Sequence, residues 1–358
     1  MSGSYEPFSR GPFPVGVKSF AVARGERRPQ VELWYPTDDA FAGTDQDPAR
    51  RDLFQMMPGV PQTPQAAVRD ATVRALAADG ARWPLVVFSH GLGGHRRQST
   101  FLCTHLASRG FVVAAPDHPG TMFLDAIGVF TGAGKRDESG ARMRAWVESG
   151  IAVRPGDVSA TIDALLGGAV APLAGRIDAA SVGLCGHSFG GWTALTTTAR
   201  DARVRAVVAL APAGGRGGYG HDPLPGAIEL AWSRPVPTLF VVAAEDSILP
   251  LEMTRELFAR THSPKKLVVI QDADHMHFLD DAKKAHDLFR LMPAAFGPLA
   301  GNVHAFADLV PAAPAREAVR GLAAAHFDAY LRGEEAARDW LAHDFVSAIA
   351  LRGATVIT

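Results

Sequence analysis

The residues best placed to do chemistry are a serine, two acids and two histidines in three separate short segments. Ser188 sits in Gly186-His187-Ser188-Phe189-Gly190, a Gly-x-Ser-x-Gly frame followed by Gly191. An unperturbed hydroxyl is a poor nucleophile, so it needs a base to take its proton and an acid to orient that base. Histidines occur in Asp272-Ala273-Asp274-His275-Met276-His277-Phe278, and carboxylates in Glu245-Asp246-Ser247-Ile248-Leu249-Pro250. His275 is preferred to His277 because Phe278 behind it can anchor the loop in the core. Asp246 is preferred to Glu245, its short side chain suiting a rigid contact to imidazole and its Ser-Ile-Leu-Pro continuation turning the loop. A tetrahedral oxyanion also needs two preorganised donors. The N–H of Phe189 supplies one, and that of Leu92 in Ser89-His90-Gly91-Leu92-Gly93-Gly94 the other, with His90 shaping the loop.

These groups need strands to carry them. Apolar, β-branched runs recur at 85–88, 111–115, 181–185, 204–210, 238–243 and 267–270. Continuous apolarity predicts strands covered on both faces. Helix candidates fall between them at 98–109, 157–166, 191–200 and 251–260. The alternation predicts an α/β fold, a mostly parallel sheet with right-handed crossovers and helices on both faces. The serine then lies on a tight strand-to-helix turn, a nucleophile elbow, and the order Ser188, Asp246, His275 puts each group at the end of a different strand.

Outside the alternation, 15–23 and 30–35 read as an antiparallel hairpin at the sheet edge. Residues 315–331 and 334–341 have helical composition, giving a C-terminal helical segment over 281–358 that covers the sheet. Stretches 37–81, 119–155 and 212–235 do not fit. The first includes a helix-like run at 65–78; the second, between a strand and a helix, is the candidate lid insertion. The whole chain, 1–358, reads as one domain.

Each of these residues also has a plainer reading. Among 36 glycines a lone Gly-x-Ser-x-Gly carries little weight, and its force here comes from the elements and loops around it. Asp272, Asp274, His275 and His277 alternate as metal ligands could in an extended segment, but no matching ligand cluster stands elsewhere; no metal is expected. His118 reads as a loop residue hydrogen-bonded at a strand end, Trp192 as helix packing, and Cys103 and Cys185 as buried thiols.

A chain of 358 residues, 47% hydrophobic and 20% charged, has the composition of a globular protein, and its net charge of −1 gives no field to recruit nucleic acid or an anionic membrane. No run of 18 apolar residues predicts a membrane span, and 1–16 lacks the pattern of an export signal, so a cytoplasmic location is expected. A homodimer is the base-rate expectation.

The assembled residues resemble the α/β-hydrolase superfamily, within it the platelet-activating factor acetylhydrolase and bacterial dienelactone-hydrolase-like branch. The matches are Gly11-Pro-Phe-Pro-Val-Gly16, Leu33-Trp-Tyr-Pro36, Phe88-Ser-His-Gly-Leu-Gly-Gly94, Ala107-Ser-Arg-Gly-Phe-Val-Val-Ala114, Arg154-Pro-Gly-Asp157 and Gly186-His-Ser-Phe-Gly-Gly191. The resemblance implies an eight-stranded sheet, no cofactor and an acyl-serine mechanism with Ser188, Asp246 and His275 as triad and Leu92 and Phe189 as oxyanion donors. Dienelactone hydrolases use a cysteine nucleophile where this chain has Ser188, so lactone opening does not follow. The elbow and the Asp-Ser-Ile-Leu-Pro loop are also similar to cutinase-like polyester hydrolases. The expectation is a serine hydrolase of carboxylic esters, with short-chain acyl groups and a small-molecule or lipid ester as substrate. Its rivals are an acyltransferase using the same triad and a non-catalytic ligand-binding member of the fold.

Overall fold

The structure, a computed structural model of the chain, describes residues 5–56, 59–126, 138–217, 222–291 and 303–358. Its strands are β1 (Val15–Ala21), β2 (Gln30–Pro36), β3 (Leu53–Phe54), β4 (Thr63–Pro64), β5 (Val68–Arg69), β6 (Trp83–Ser89), β7 (Val112–Pro116), β8 (Ile177–His187), β9 (Val204–Leu210), β10 (Thr238–Ala243), β11 (Lys265–Ile270) and β12 (Val356–Ile357). The helices that matter most are α1 (Thr100–Ser108), α2 (Glu138–Leu166), α3 (Phe189–Arg200), α4 (Leu251–Arg260), α5 (Ala282–Leu291) and α6 (Ala312–Leu331).

The main sheet runs β12-β11-β10-β9-β8-β6-β7-β2-β1-β5, and β3 pairs separately with β4. Strands β6 to β11 are mutually parallel, while β1, β2 and β12 enter through antiparallel pairings. Side chains alternate between two cores. Val208, Leu210, Val241 and Ala243 join Leu102, Leu106, Val319 and Leu322 from α1 and α6 on one face. Val207, Ala209 and Phe240 join Val158, Ile162, Leu195 and Leu257 from α2, α3 and α4 on the other. Strands so covered must be apolar on both sides, which is why their sequences run without polar alternation.

The sheet has ten strands, not the expected eight. The additional two, β5 and β12, are two residues long and lie at opposite edges. The β1–β2 hairpin is present, paired from Val15 with Pro36 to Ala21 with Gln30, but β5 and not β1 is outermost. The helix-like run at 65–78 is not helical. Gln65 is buried, accepting from Trp34 Nε1 at 2.7 Å and donating to Asp52 Oδ2 at 2.6 Å, and Val73 bridges to Thr37. Those tertiary bonds outweigh helical propensity.

The helix expected at 157–166 begins at Glu138 and runs through Pro155. Proline removes a backbone donor and normally breaks a helix. Here Arg154 and Asp157 on either side are buried and bonded to other elements, and Arg24 donates to Val153 O at 2.9 Å on the same turn. Of the candidate lid, 127–137 lie outside the described residues and 138–155 belong to α2, which begins at Glu138. The C-terminal segment carries α6 across one sheet face and returns to the edge as β12. Cys103 and Cys185 are both free and buried.

Candidate active site

Parallel strands deliver their carboxyl ends to one edge, and strand order reverses between β6 and β8, where a crevice opens in folds of this kind. Ser188 follows β8, the Gly91–Gly94 loop follows β6, Asp246 follows β10 and His275 follows β11.

Ser188 has φ 57° and ψ −120°, a region that ordinarily costs a non-glycine residue about 1–3 kcal/mol. Three backbone bonds hold it there: Ser188 N to Leu210 O at 2.9 Å, Trp192 N to Ser188 O at 3.2 Å and Ala213 N to Ser188 O at 3.0 Å. The flanking glycines are sterically required. A Cβ on Gly186 would stand 2.1 Å from Gly190 O, and one on Gly190 would stand 1.9 Å from Ser89 O. Ser188 itself is half-buried.

His275 and Asp246, both buried, meet with Nδ1 2.6 Å from Oδ2. The other carboxylate oxygen, Oδ1, accepts from Ile248 N at 3.0 Å and Leu249 N at 2.7 Å, so the loop fixes the acid. A carboxylate at Nδ1 places the proton there and leaves Nε2 as the basic nitrogen. The two alternatives are otherwise engaged. Glu245 lies 3.2 Å from the exposed His304. His277 is buried with Nδ1 2.6 Å from Asp274 Oδ1 and Nε2 2.9 Å from Val310 O, while Asp274 also bonds His286. Among the described residues no group of three or more His, Cys, Asp or Glu is disposed to hold a metal ion.

Reasoning from sequence missed the groups that tie these loops together. Gln98 accepts from Gly91 N at 3.0 Å through Oε1 and lies 3.1 Å from His187 Nδ1 through Nε2. His187 Nε2 in turn lies 3.0 Å from His275 O, and the two rings are 4.5 Å apart. Burial pushes the His187 pKa well down, and the charge of a protonated His275 would push it further. The neutral ring therefore donates from Nε2 and accepts at Nδ1. This chain links the loop after β6, the elbow and the histidine loop. His187 is visible as the second residue of the Gly-x-Ser-x-Gly frame; nothing around Gln98 marks it.

A second Ser-His-Asp set is formed by the end of β6, the loop after β7 and α2. Ser89 Oγ is 2.9 Å from His118 Nε2, and His118 Nδ1 is 3.2 Å from Asp157 Oδ2. All three are fully buried, so no substrate reaches Ser89. Burial lowers the His118 pKa to about 4, with Arg154 adding to the effect and Asp157 opposing it. The neutral ring donates to Asp157 and accepts the Ser89 proton. Asp157 also takes Arg24 Nη1 at 3.0 Å and Arg27 Nη2 at 2.9 Å.

Next to the elbow, Val147, Phe189, Trp192, Ala213 and Leu224 form a buried apolar cluster, with the half-buried Leu92, Met143, Ile151 and Leu249 packed against it. No helix among the described residues is long and apolar enough to cross a membrane.

Residues 71–295 match the dienelactone hydrolase family, and residues 2–123 match the family described as platelet-activating factor acetylhydrolase, isoform II. The platelet-activating factor acetylhydrolase of Cavia porcellus is 24% identical over 281 residues, covering 69% of this chain and 59% of that protein. The protein of the same name from Canis lupus familiaris is 28% identical over 236 residues, covering 56% and 49%. The chain thus spans about half the length of these relatives. Among solved structures, a ferulic acid esterase from Streptomyces cinnamoneus superposes with a TM-score of 0.59 at 24% identity, over 92% of this chain and 93% of that one, a likeness of fold.

Proposed function

This chain belongs to the dienelactone hydrolase family, and on that premise we propose that it is a serine hydrolase of carboxylic esters that works through an acyl-serine intermediate. The observation that carries the reading is the strained Ser188 elbow, on the same sheet edge as a closed Asp246–His275 pair.

In this mechanism His275 Nε2 takes the Ser188 proton as Oγ adds to the ester carbonyl. The resulting oxyanion accepts from the N–H groups of Leu92 and Phe189. Its collapse expels the alcohol, which leaves with the proton held by His275. Water then repeats the sequence on the acyl-enzyme and releases the acid and free Ser188. Asp246 keeps the Nδ1 proton in place and stabilises the imidazolium. Each step moves one proton between His275 and Ser188, the leaving alcohol or water, and no cofactor enters.

The acyl assignment rests on the apolar side chains next to the elbow, where the half-buried Leu92, Met143, Ile151 and Leu249 pack against a buried cluster that includes Phe189. That favours short, apolar acyl chains, in keeping with relatives named as acetylhydrolases. The test is hydrolysis of p-nitrophenyl esters from acetyl to palmitoyl by wild type and Ser188→Ala. The expected result is short-chain turnover abolished in the variant. Full turnover in a folded Ser188→Ala overturns the mechanism, and a preference for palmitoyl overturns the acyl assignment.

A further inference from the structure

Helix α2 turns one face, Trp146, Gly150, Arg154 and Asp157, onto the loops that follow β6 and β7 and onto Phe189. Trp146 donates to Gly120 O at 2.8 Å, and a Cβ on Gly150 would stand 2.5 Å from the Phe189 ring. Arg154 is fully buried. Its guanidinium donates from Nη1 to His90 O at 2.6 Å, from Nη2 to Gly91 O at 3.1 Å and from Nε to Thr121 Oγ1 at 3.0 Å. It also lies 4.3 Å over the Phe189 ring. Burying a cation among neutral acceptors costs several kcal/mol. Burial lowers the Arg154 pKa to about 9, partly offset by Asp157, so the group is charged at neutral pH.

From this geometry we infer that Arg154 is the positioning residue of the oxyanion hole, acting by holding the Gly91–Leu92 peptide so that the Leu92 N–H faces Ser188. The inference rests on the reading of Leu92 and Phe189 as oxyanion donors. A trans peptide is planar, with its C=O and N–H pointing opposite ways. Gly91 O is held by three donors: Arg154 Nη2, His90 Nδ1 at 2.7 Å and Gly94 N at 3.1 Å. The His90 tautomer is set as well, because His90 Nε2 accepts from His118 N at 3.2 Å. The preceding peptide is pinned at both ends, by Arg154 at His90 O and by Gln98 at Gly91 N. With its carbonyl anchored beneath the loop, the Gly91–Leu92 peptide directs its N–H the other way. A Cβ on Gly91 would lie 3.5 Å from Ser188 Cβ, so that peptide stands beside the nucleophile. A cationic donor on the carbonyl also polarises the amide and strengthens its N–H as a donor.

The test compares an oxo-ester with its thionoester, whose sulfur is larger and accepts hydrogen bonds poorly, in wild type, Arg154→Lys, Arg154→Met and Thr121→Val. Arg154→Lys retains charge without the two-pronged fork. Thr121→Val removes the hydroxyl that seats Nε, along with its own donation to His118 O at 3.0 Å, and leaves the Arg154 bonds to His90 O and Gly91 O in place, so it tests the inference even where Arg154→Met does not fold. Loss of one oxyanion donor lowers kcat by about 10²- to 10³-fold. For both Arg154 variants the expected result is a loss of kcat of at least about 10-fold with KM little changed and a fall in the oxo-to-thiono rate ratio. Thr121→Val moves the same way by less. A large wild-type ratio that stays constant in all three variants overturns the role of Arg154 and leaves the oxyanion hole intact. A wild-type ratio near unity overturns the oxyanion assignment itself, and the inference with it.

Discussion

Replacing Asp157 by asparagine perturbs a carboxylate that faces three basic side chains, and the structure fixes both the size and the pH window of the effect. Asp157 Oδ1 accepts from Arg24 Nη1 at 3.0 Å and Arg27 Nε at 3.2 Å, and Oδ2 accepts from Arg27 Nη2 at 2.9 Å and His118 Nδ1 at 3.2 Å. Burial works to raise its pKa, but His118 and Arg27 outweigh it and hold the group at about 2, against an ordinary value of 3.8. The folded pKa is depressed, so the ionised form stabilises the fold above the unfolded value, and that stabilisation is lost as pH falls from about 4 towards 2. That difference corresponds to about 2 kcal/mol at pH 7, falling to about 1 kcal/mol at pH 3. Asparagine also leaves Arg24 and Arg27 without their anion, so Asp157→Asn should cost about 2–4 kcal/mol at neutral pH. Urea unfolding of both proteins at pH 7, 4 and 3 measures it. The gap should narrow by about 1 kcal/mol between pH 7 and pH 3. An equal gap at pH 7 and pH 3 refutes the electrostatic reasoning, and a gap below about 0.5 kcal/mol at pH 7 refutes the assigned contacts.

Three further outcomes follow from the site. Asp246→Asn should lower kcat by up to about 10⁴-fold with a modest change in KM, since the amide favours the wrong tautomer of His275, whereas Glu245→Gln should stay within about twofold; equal losses would reverse the choice of acid. Gly190→Ala, whose Cβ meets Ser89 O at 1.9 Å, should destabilise the protein by about 3 kcal/mol or more in thermal unfolding, and a near-neutral result would mean that the elbow is looser than described. His277→Gln should lower the melting temperature through lost bonds to Asp274 and Val310 while kcat falls less than about tenfold; a loss comparable to that of Asp246→Asn would make His277 the base.

What could be read from sequence follows the physics of each element. Strands β6 to β11 are legible because burial on two faces leaves an unbroken apolar run, and the loops after them carry Ser188, Asp246 and His275 in an order that parallel strands bring to one edge. Strands β5 and β12 are two residues long, too short for any period, and exist through their partners β1 and β11. Helix α2 is hidden by Pro155-Gly156, a pair that ends helices unless buried contacts on either side hold the chain, as Arg154 and Asp157 do. The bonds among Gln98, His187, Ser89, His118 and Arg154 are illegible for a related reason: they join residues as far apart as positions 98 and 187, and no spacing encodes them. The motif Arg154-Pro-Gly-Asp157 is visible as a string, but its role emerges only once the helix lies across the loop.

The central claim, that Ser188 is a nucleophile activated by His275, is tested most directly by treating the intact protein with a serine-directed fluorophosphonate and mapping the adduct by mass spectrometry. The account predicts one adduct, on the peptide carrying Gly186 to Gly191, that is absent in Ser188→Ala and strongly slowed in His275→Ala. An unlabelled wild type, or an adduct that persists in Ser188→Ala, would contradict it.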